Sequence, residues 1–196
     1  MLTVILGKTC SGKSTIVRKL CEKYNYNKIL TYTTRPKREH EKDGVDYHFI
    51  DDETFSRFRD LGKFSEYKSY NVAGGYTWWY GSMLGDLDDD KDYLIILTPQ
   101  GLRDVQSELD DFASIYIYTN RDTMKKRLIK RGDDVNEASR RMIRDNEDFN
   151  GVENEVNRIV YNNSDDNIDD VVDRVHHVIQ TLKQKPENLK NKRYLR

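Results

Sequence analysis

Short apolar runs alternate along this chain with stretches whose apolar residues recur every three or four positions. Thr3-Val4-Ile5-Leu6 is too short for an amphipathic helix and reads as a buried strand. A glycine-rich turn follows, then a pattern from Lys13 to Tyr24 that sets Ile16, Val17 and Leu20 on one helical face. Lys28 to Tyr32, Tyr93 to Leu97 and Ser114 to Tyr118 read as further strands, the last two leading into helical stretches. Arg158 to Tyr161 is the final predicted strand, and Val171, Val172, Val175, Val178 and Ile179 give Ile168 to Leu182 the spacing of a helix. Buried strands alternating with helices predict an α/β fold with a mostly parallel sheet covered on both faces.

Two regions break the alternation. Residues 46–80 mix short predicted strands (Tyr47 to Ile50, Phe64 to Tyr70, Tyr76 to Tyr80) with one helix near Glu53 to Asp60, which suggests a small inserted β-rich subdomain. Residues 125–148 are arginine-rich and helical on both sides of Arg131-Gly132-Asp133-Asp134, predicting a surface helical hairpin. The acidic run Asp86 to Asp92 lacks the ligand spacing of a cation loop and reads as solvated. The segment 183–196 is a basic tail, read as a solvated end.

Composition narrows the classes. At 196 residues one domain is expected, with 36% hydrophobic and 34% charged residues. With 33 basic and 34 acidic residues the net charge is −1, which gives no electrostatic case for nucleic acid or a membrane surface. Two cysteines, Cys10 and Cys21, argue against a disulfide framework and for a reducing compartment. No run approaches the roughly 18 apolar residues of a membrane span, and the N-terminus lacks the pattern of a signal peptide. The expectation is a cytoplasmic protein, monomer or homodimer, whose partners are small molecules.

The chemistry begins at Gly7-Lys8-Thr9-Cys10-Ser11-Gly12-Lys13-Ser14, which fits G-x-x-x-x-G-K-[ST] between a strand and a helix. The glycines let backbone N–H groups turn inward into an anion-binding concavity, and the helix N-terminus adds its positive dipole end. Lys13 is placed to reach the outer phosphates of a nucleoside triphosphate such as ATP, and the Ser14 hydroxyl to take Mg²⁺. The expected donor site runs from Gly7 to Thr15. Further on, Thr31-Tyr32-Thr33-Thr34-Arg35-Pro36-Lys37-Arg38 puts two arginines three apart in a proline-containing turn. Such a pair suits bidentate contact with one phosphate, and its distance from the first loop suggests a second phosphorylated ligand.

With Asp43-Gly44-Val45-Asp46-Tyr47-His48-Phe49, Phe64-Ser65-Glu66, Tyr80-Gly81-Ser82, Gln100-Gly101 and Lys126-Arg127-Leu128 before Arg131-Gly132, the chain resembles a guanylate kinase from about Leu2 to Leu182. The resemblance implies a P-loop NTPase core with a parallel sheet flanked by helices (1–32, 83–124 and 150–182). It also implies an NMP-binding subdomain (33–82) and a helical lid (125–149). Arg35, Arg38, Tyr47 and Tyr80 match residues that hold the GMP phosphate. Thr31 and Ser82 match hydroxyls near the base, and Glu66 matches the acid that accepts from guanine N1 and N2. Adenine has no such pair of donors. Arg131 and Arg141 match the lid arginines best, with Arg140 an alternative to Arg141 and Arg127 close by. Cations delivered by a closing lid suit the charge that spreads over a phosphoryl group in transfer.

Two departures stand out. The family usually carries D-x-D-x-Q-G where this chain has Ile96-Leu97-Thr98-Pro99-Gln100-Gly101, so both acids are gone. Thr98 is left to accept one bond from a base or sugar, and loss of a charged acceptor costs roughly 1.5–3 kcal/mol unless something replaces it. The link from Glu66 to Tyr80 is longer than usual, with Gly74-Gly75 as a hairpin turn and Trp78-Trp79 as either subdomain packing or a wall for the base. The expected activity is Mg²⁺-dependent transfer from ATP to GMP or dGMP, with an altered acceptor site. A nucleotide-binding or partner-binding module without catalysis, and a kinase for another NMP, are the alternatives. The intact Lys13-Ser14 end favours the enzyme.

Overall fold

The computed structural model describes residues 1–184 except 40, 73, 86 and 132–134, with only the backbone described at 131 and 135–138. The chain begins with strand β1 (Leu2–Leu6), helix α1 (Lys13–Tyr24), β2 (Asn27–Lys28), β3 (Tyr32–Thr33), β4 (His48–Phe49) and α2 (Asp52–Asp60). It continues with β5 (Glu66–Asn71), β6 (Thr77–Ser82), β7 (Tyr93–Ile96), α3 (Pro99–Glu108) and β8 (Phe112–Tyr118). Helices α4 (Arg121–Arg131) and α5 (Val135–Asp148), strand β9 (Arg158–Tyr161) and helix α6 (Ile168–Lys183) complete it.

The main sheet has five parallel strands in the order β2-β7-β1-β8-β9. Strand β1 is central, in register from Leu2 opposite Tyr93 and Phe112 to Ile5 opposite Ile96 and Ile115, and every residue of it is buried. A strand covered on both faces has no polar side to show, which explains its continuous apolar run. On one face Ile5, Ile115 and Ile117 pack against Ile16, Val17 and Leu20 of α1 and Val171, Val172, Val175 and Ile179 of α6. On the other, Val4, Leu6, Ile95 and Tyr116 pack against Leu102 and Val105 of α3, with Phe149, Val152 and Val156. Crossovers leave β1 and β7 toward opposite edges, so the crevice for ligands lies at the C-terminal ends of these central strands.

A second sheet, β4-β3-β6-β5, holds residues 32–82 and mixes one parallel with two antiparallel pairings. Here the predicted strand Lys28 to Tyr32 is corrected. It is two strands in two sheets: Ile29 donates its N–H to Leu94 in the main sheet, whereas the Thr31 carbonyl accepts from His48 in the small one. The apolar residues are continuous because the chain stays half-buried while crossing between layers. The hairpin joining β5 to β6 closes with Val72 N–H donating to the Tyr76 carbonyl, with Gly74 and Gly75 at φ 85° and 78°. The arginine-rich region is two helices, α4 and α5, while its predicted turn at Gly132 to Asp134 lies outside the described residues, as does tail segment 185–196. Both cysteines are free thiols, and no helix among the described residues is long and apolar enough to cross a membrane.

Candidate active site

The turn after β1 wraps around the start of α1. Gly12 is the N-cap at φ 93°, and no side chain caps the helix. A Cβ at Gly12 would lie 2.5 Å from Asn162 Nδ2, so both conformation and space demand glycine. The uncapped first N–H groups of α1 are thereby left for an anion. Lys13 folds over the loop, its Nζ donating to the Gly7 carbonyl and, at 2.9 Å, to that of Lys8. Arg127 braces the outer side, donating to the carbonyls of Cys10 and Ser11 at 3.3 Å and to Asn162 Oδ1 at 3.2 Å. The Ser11 hydroxyl is buried and has no hydrogen-bond partner, whereas Ser14 and Thr15 face solvent.

The opposite wall comes from the small sheet. Along β5, Glu66, Lys68 and Tyr70 share one face, as alternation requires, and β6 sets Ser82, Tyr80 and Trp78 directly across from them. Glu66 is only 7% exposed, and burial pushes its carboxyl up to about 7, against the opposing effect of the Ser82 hydrogen bond. A Cβ on Gly101 would meet Glu66 Oε2 at 2.9 Å, so the Gln100-Gly101 motif admits this acid against the first turn of α3. Ser82 also bonds Thr31 across the two crossing chains, Oγ1 to Oγ at 3.2 Å. These groups offer a carboxyl and two hydroxyls around one point, a set suited to a base with several N–H donors.

Arg35 and Arg38 converge as the motif suggests, but on Glu41. Arg35 Nη2 donates to Glu41 Oε1 at 2.8 Å, and Arg38 donates its backbone N–H to Oε2 at 2.9 Å. Burial opposes the charge on both Arg35 and Glu41, yet their mutual hydrogen bond prevails, raising the arginine and lowering the acid. Removing one partner of such a buried pair costs about 3–5 kcal/mol, because the other charge is stranded. The guanidinium also lies over the rings of Tyr47 and Phe49, at 5.4 and 5.6 Å.

The third wall is α5. Asp145 accepts the backbone N–H of Thr9 at 2.5 Å, and Asn146 accepts from Lys8 at 2.9 Å, so a carboxylate sits in the mouth of the phosphate loop. One cavity of about 250 Å³ lies between the three walls. It is lined by Gly7, Thr9 and Lys13, by Thr31, Tyr47, Glu66 and Tyr80, and by Arg140, Arg141, Arg144 and Asp145. Ile96 and Thr98 line it too.

Sequence-predicted residues fall into groups. Gly7, Thr9 and Lys13 of the loop, with Thr31, Tyr47, Glu66, Tyr80, Thr98 and Arg141, line the cavity, while Ser14, Thr15, Arg35, Arg38 and Ser82 are not among its lining residues. The Arg131 side chain lies outside the described residues. Thr98 is more occupied than expected, since its Oγ1 accepts from Gly101 N–H as the N-cap of α3, with Pro99 in the first turn. The tryptophans divide. Trp78 lines the cavity, and Trp79 packs on Phe55, Tyr67 and Arg59 within the small sheet. Sequence reasoning passes over Glu41 and Asp145. A glutamate three residues past Arg38 is a fair signal for the first, but nothing local marks the second.

A phosphate loop facing a second sheet across one cavity, under a helix rich in arginine, defines a P-loop protein built for two ligands. A family model described as guanylate kinase matches residues 1–182. Guanylate kinase from Nitratidesulfovibrio vulgaris is 33% identical over 149 residues, which is 73% of this chain and 70% of the relative. That from Chromohalobacter salexigens is 28% identical over 186 residues, 92% of this chain and 84% of the relative. The crystal structure of guanylate kinase from Anaplasma phagocytophilum superposes with a TM-score of 0.70 at 24% identity, covering 95% of this chain and 88% of that one, a likeness of fold. The chain belongs to the guanylate kinase family.

Proposed function

We propose that this chain is a phosphotransferase that moves the γ-phosphoryl group of ATP to GMP, giving ADP and GDP. The observation that carries this reading is the shared cavity, which joins the phosphate loop to the Glu66 pocket without an intervening wall. Residues 33–82 act as the acceptor-binding unit and 125–149 as the lid. Lys13 and the amides from Gly7 to Thr15 hold the donor phosphates, Lys13 exchanging its two carbonyl partners for phosphate oxygens. Arg35, Arg38, Tyr47 and Tyr80 fix the acceptor phosphate, with Glu41 holding both arginines in place. Glu66, Thr31 and Ser82 select guanine, and Thr98 contributes one uncharged contact.

The acceptor phosphate oxygen is already anionic at neutral pH, so attack needs no general base, and positioning with electrostatic stabilisation carries the catalysis. Arg141 supplies charge from the lid, with Arg131 placed by sequence at the end of α4. No group of three or more His, Cys, Asp or Glu among the described residues forms a metal cage. The exposed Ser14 hydroxyl at the start of α1 nevertheless fits Mg²⁺ carried on triphosphate oxygens and water. The metal would neutralise phosphate charge there. Absence of the strand-end acids removes no group on which this scheme depends.

The test is ADP release from ATP in a coupled assay with GMP, dGMP, IMP, AMP, CMP, UMP and dTMP. Turnover confined to GMP and dGMP is expected. Turnover with another monophosphate would sink the guanine assignment, and none with any acceptor would sink the enzyme.

A further inference from the structure

The longer hairpin touches the lid directly. Lys68 on β5 pairs with Asp148 at the end of α5, Nζ to Oδ2 at 3.0 Å, with the two side chains 27% and 26% exposed. The Arg144 guanidinium lies 5.2 Å from the centre of the Tyr70 ring, and Lys68 Nζ lies 5.3 Å from the same ring. Arg141 lies 6.0 Å from the ring of Trp78. Tyr70 and Trp78 are opposite each other in the β5–β6 register, so these groups form one patch on the cavity face of the hairpin.

The patch also continues inward. Tyr70 meets Tyr80 edge-on at 5.6 Å, Tyr80 meets Tyr47 at 6.2 Å, and Tyr47 lies under Arg35. Ring contacts therefore run unbroken from a lid arginine to an arginine of the acceptor side. Glu66 and Lys68 are successive residues on the same face of β5, so a shift of the base pocket carries Lys68 with it.

We propose that Lys68, Tyr70 and Trp78 are positioning residues that dock α5 and hold Arg141 and Arg144 against the cavity, a docking that an acceptor in the pocket tightens. This rests on reading the cavity as the place of phosphoryl transfer. The physical basis is a partly desolvated ion pair flanked by two cation–ring contacts, each modest alone and mutually reinforcing at one interface. The hairpin thereby joins acceptor binding to delivery of lid charge through the protein itself, in addition to any bridge made by the nucleotides. The hairpin at 67–79 acquires a purpose: its two strands carry the small sheet to α5.

The test exploits the two tryptophans. In a Trp79→Phe background, Trp78 alone reports on its surroundings by emission and acrylamide quenching. GMP is expected to shift the Trp78 signal and protect it from quencher, and Lys68→Glu or Asp148→Lys to abolish that response. Either single reversal is expected to lower kcat/KM by about threefold to tenfold, and the double reversal to return it to within about twofold, as a direct pair demands. Should a single variant fail to fold, Lys68→Gln and Asp148→Asn interrogate the same pair without reversing charge. Losses that multiply in the double variant, or a Trp78 signal that ignores GMP, would overturn the proposal. A Trp78 response and charge-swap rescue of that response without turnover on any acceptor would uphold the latch while sinking the enzymatic reading.

Discussion

The two ends of the cavity are built in opposite ways. The phosphate-loop end is built on one continuous segment, strand, loop and helix from Leu2 to Tyr24, in which Lys13 rests on the loop's own carbonyls while Arg127, Asp145 and Asn162 brace the loop from outside. The acceptor end is assembled from chain segments around residues 31, 66, 82 and 101, and its central groups depend on partners far away in sequence. A device built on one segment takes its backbone geometry from its own residues, and outside contacts only steady it. A distributed one changes whenever any contributing segment changes, and the strand end at Ile96 and Thr98 lies in the cavity that the two ends share.

If that contrast holds, Lys13→Ala is the most damaging change. It should lower kcat by about a hundredfold to a thousandfold, as loss of a preorganised charge contact does, and leave GMP affinity unaltered by calorimetry. Loss of GMP binding in that variant would mean that the two ends are not separable. Next is Glu66→Gln, expected to weaken GMP about tenfold to a hundredfold, in keeping with loss of a charged acceptor.

The pH dependence sharpens this second case. Burial holds the Glu66 carboxyl at about 7, so below that it is protonated and presents a donor to guanine's donors. GMP affinity should therefore rise as pH climbs from 6 to 8, with proton release seen in buffers of different ionisation enthalpy, and Glu66→Gln should keep only the part that the GMP phosphate contributes through its own second ionisation at about 6. The sign for stability is opposite. The unfolded chain gives up this proton near 4.5 while the folded chain keeps it to about 7, so ligand-free stability falls across that window. A pH dependence left unchanged by Glu66→Gln would place the base elsewhere.

The smallest expected effect is at Asp145→Asn. Its carboxylate competes with phosphate for the Thr9 amide, and neutralising it should tighten ATP about threefold to tenfold without acceptor. Weaker ATP binding would show that the acid assists the nucleotide instead.

Legibility followed the same division. Helix α1 occupies Lys13–Tyr24 as its apolar spacing predicts, because spacing, a glycine start and a strand before it all act within a few turns. Lys28 to Tyr32 misled because periodicity registers burial and cannot register which sheet does the burying. Arg35 and Arg38 are visible as a pair, but the acid holding them, Glu41, meets their guanidinium groups only in the folded chain. The division of labour between Trp78 and Trp79 follows from strand alternation once the register with β5 is known, and the register depends on the hairpin. Asp145 became meaningful only when α5 was laid across the phosphate loop.

The paired chains that cross between the sheets carry a mechanical consequence. Thr31 and Ser82 lie side by side where the small sheet joins the large one, and Glu66 is opposite Ser82. The hairpin then extends from Glu66 to Asn71, about 17 Å at the rise of a strand. It is a lever whose fulcrum is the base pocket. Turning it about that line scarcely disturbs Glu66, moves Lys68 a little, and sweeps Tyr70 and the glycine tip furthest. On the reading proposed above, the residues assigned to the base sit at the fulcrum, with Lys68 one step out and Tyr70 a step further, so a rotation displaces the contacts with α5 more than it displaces Glu66.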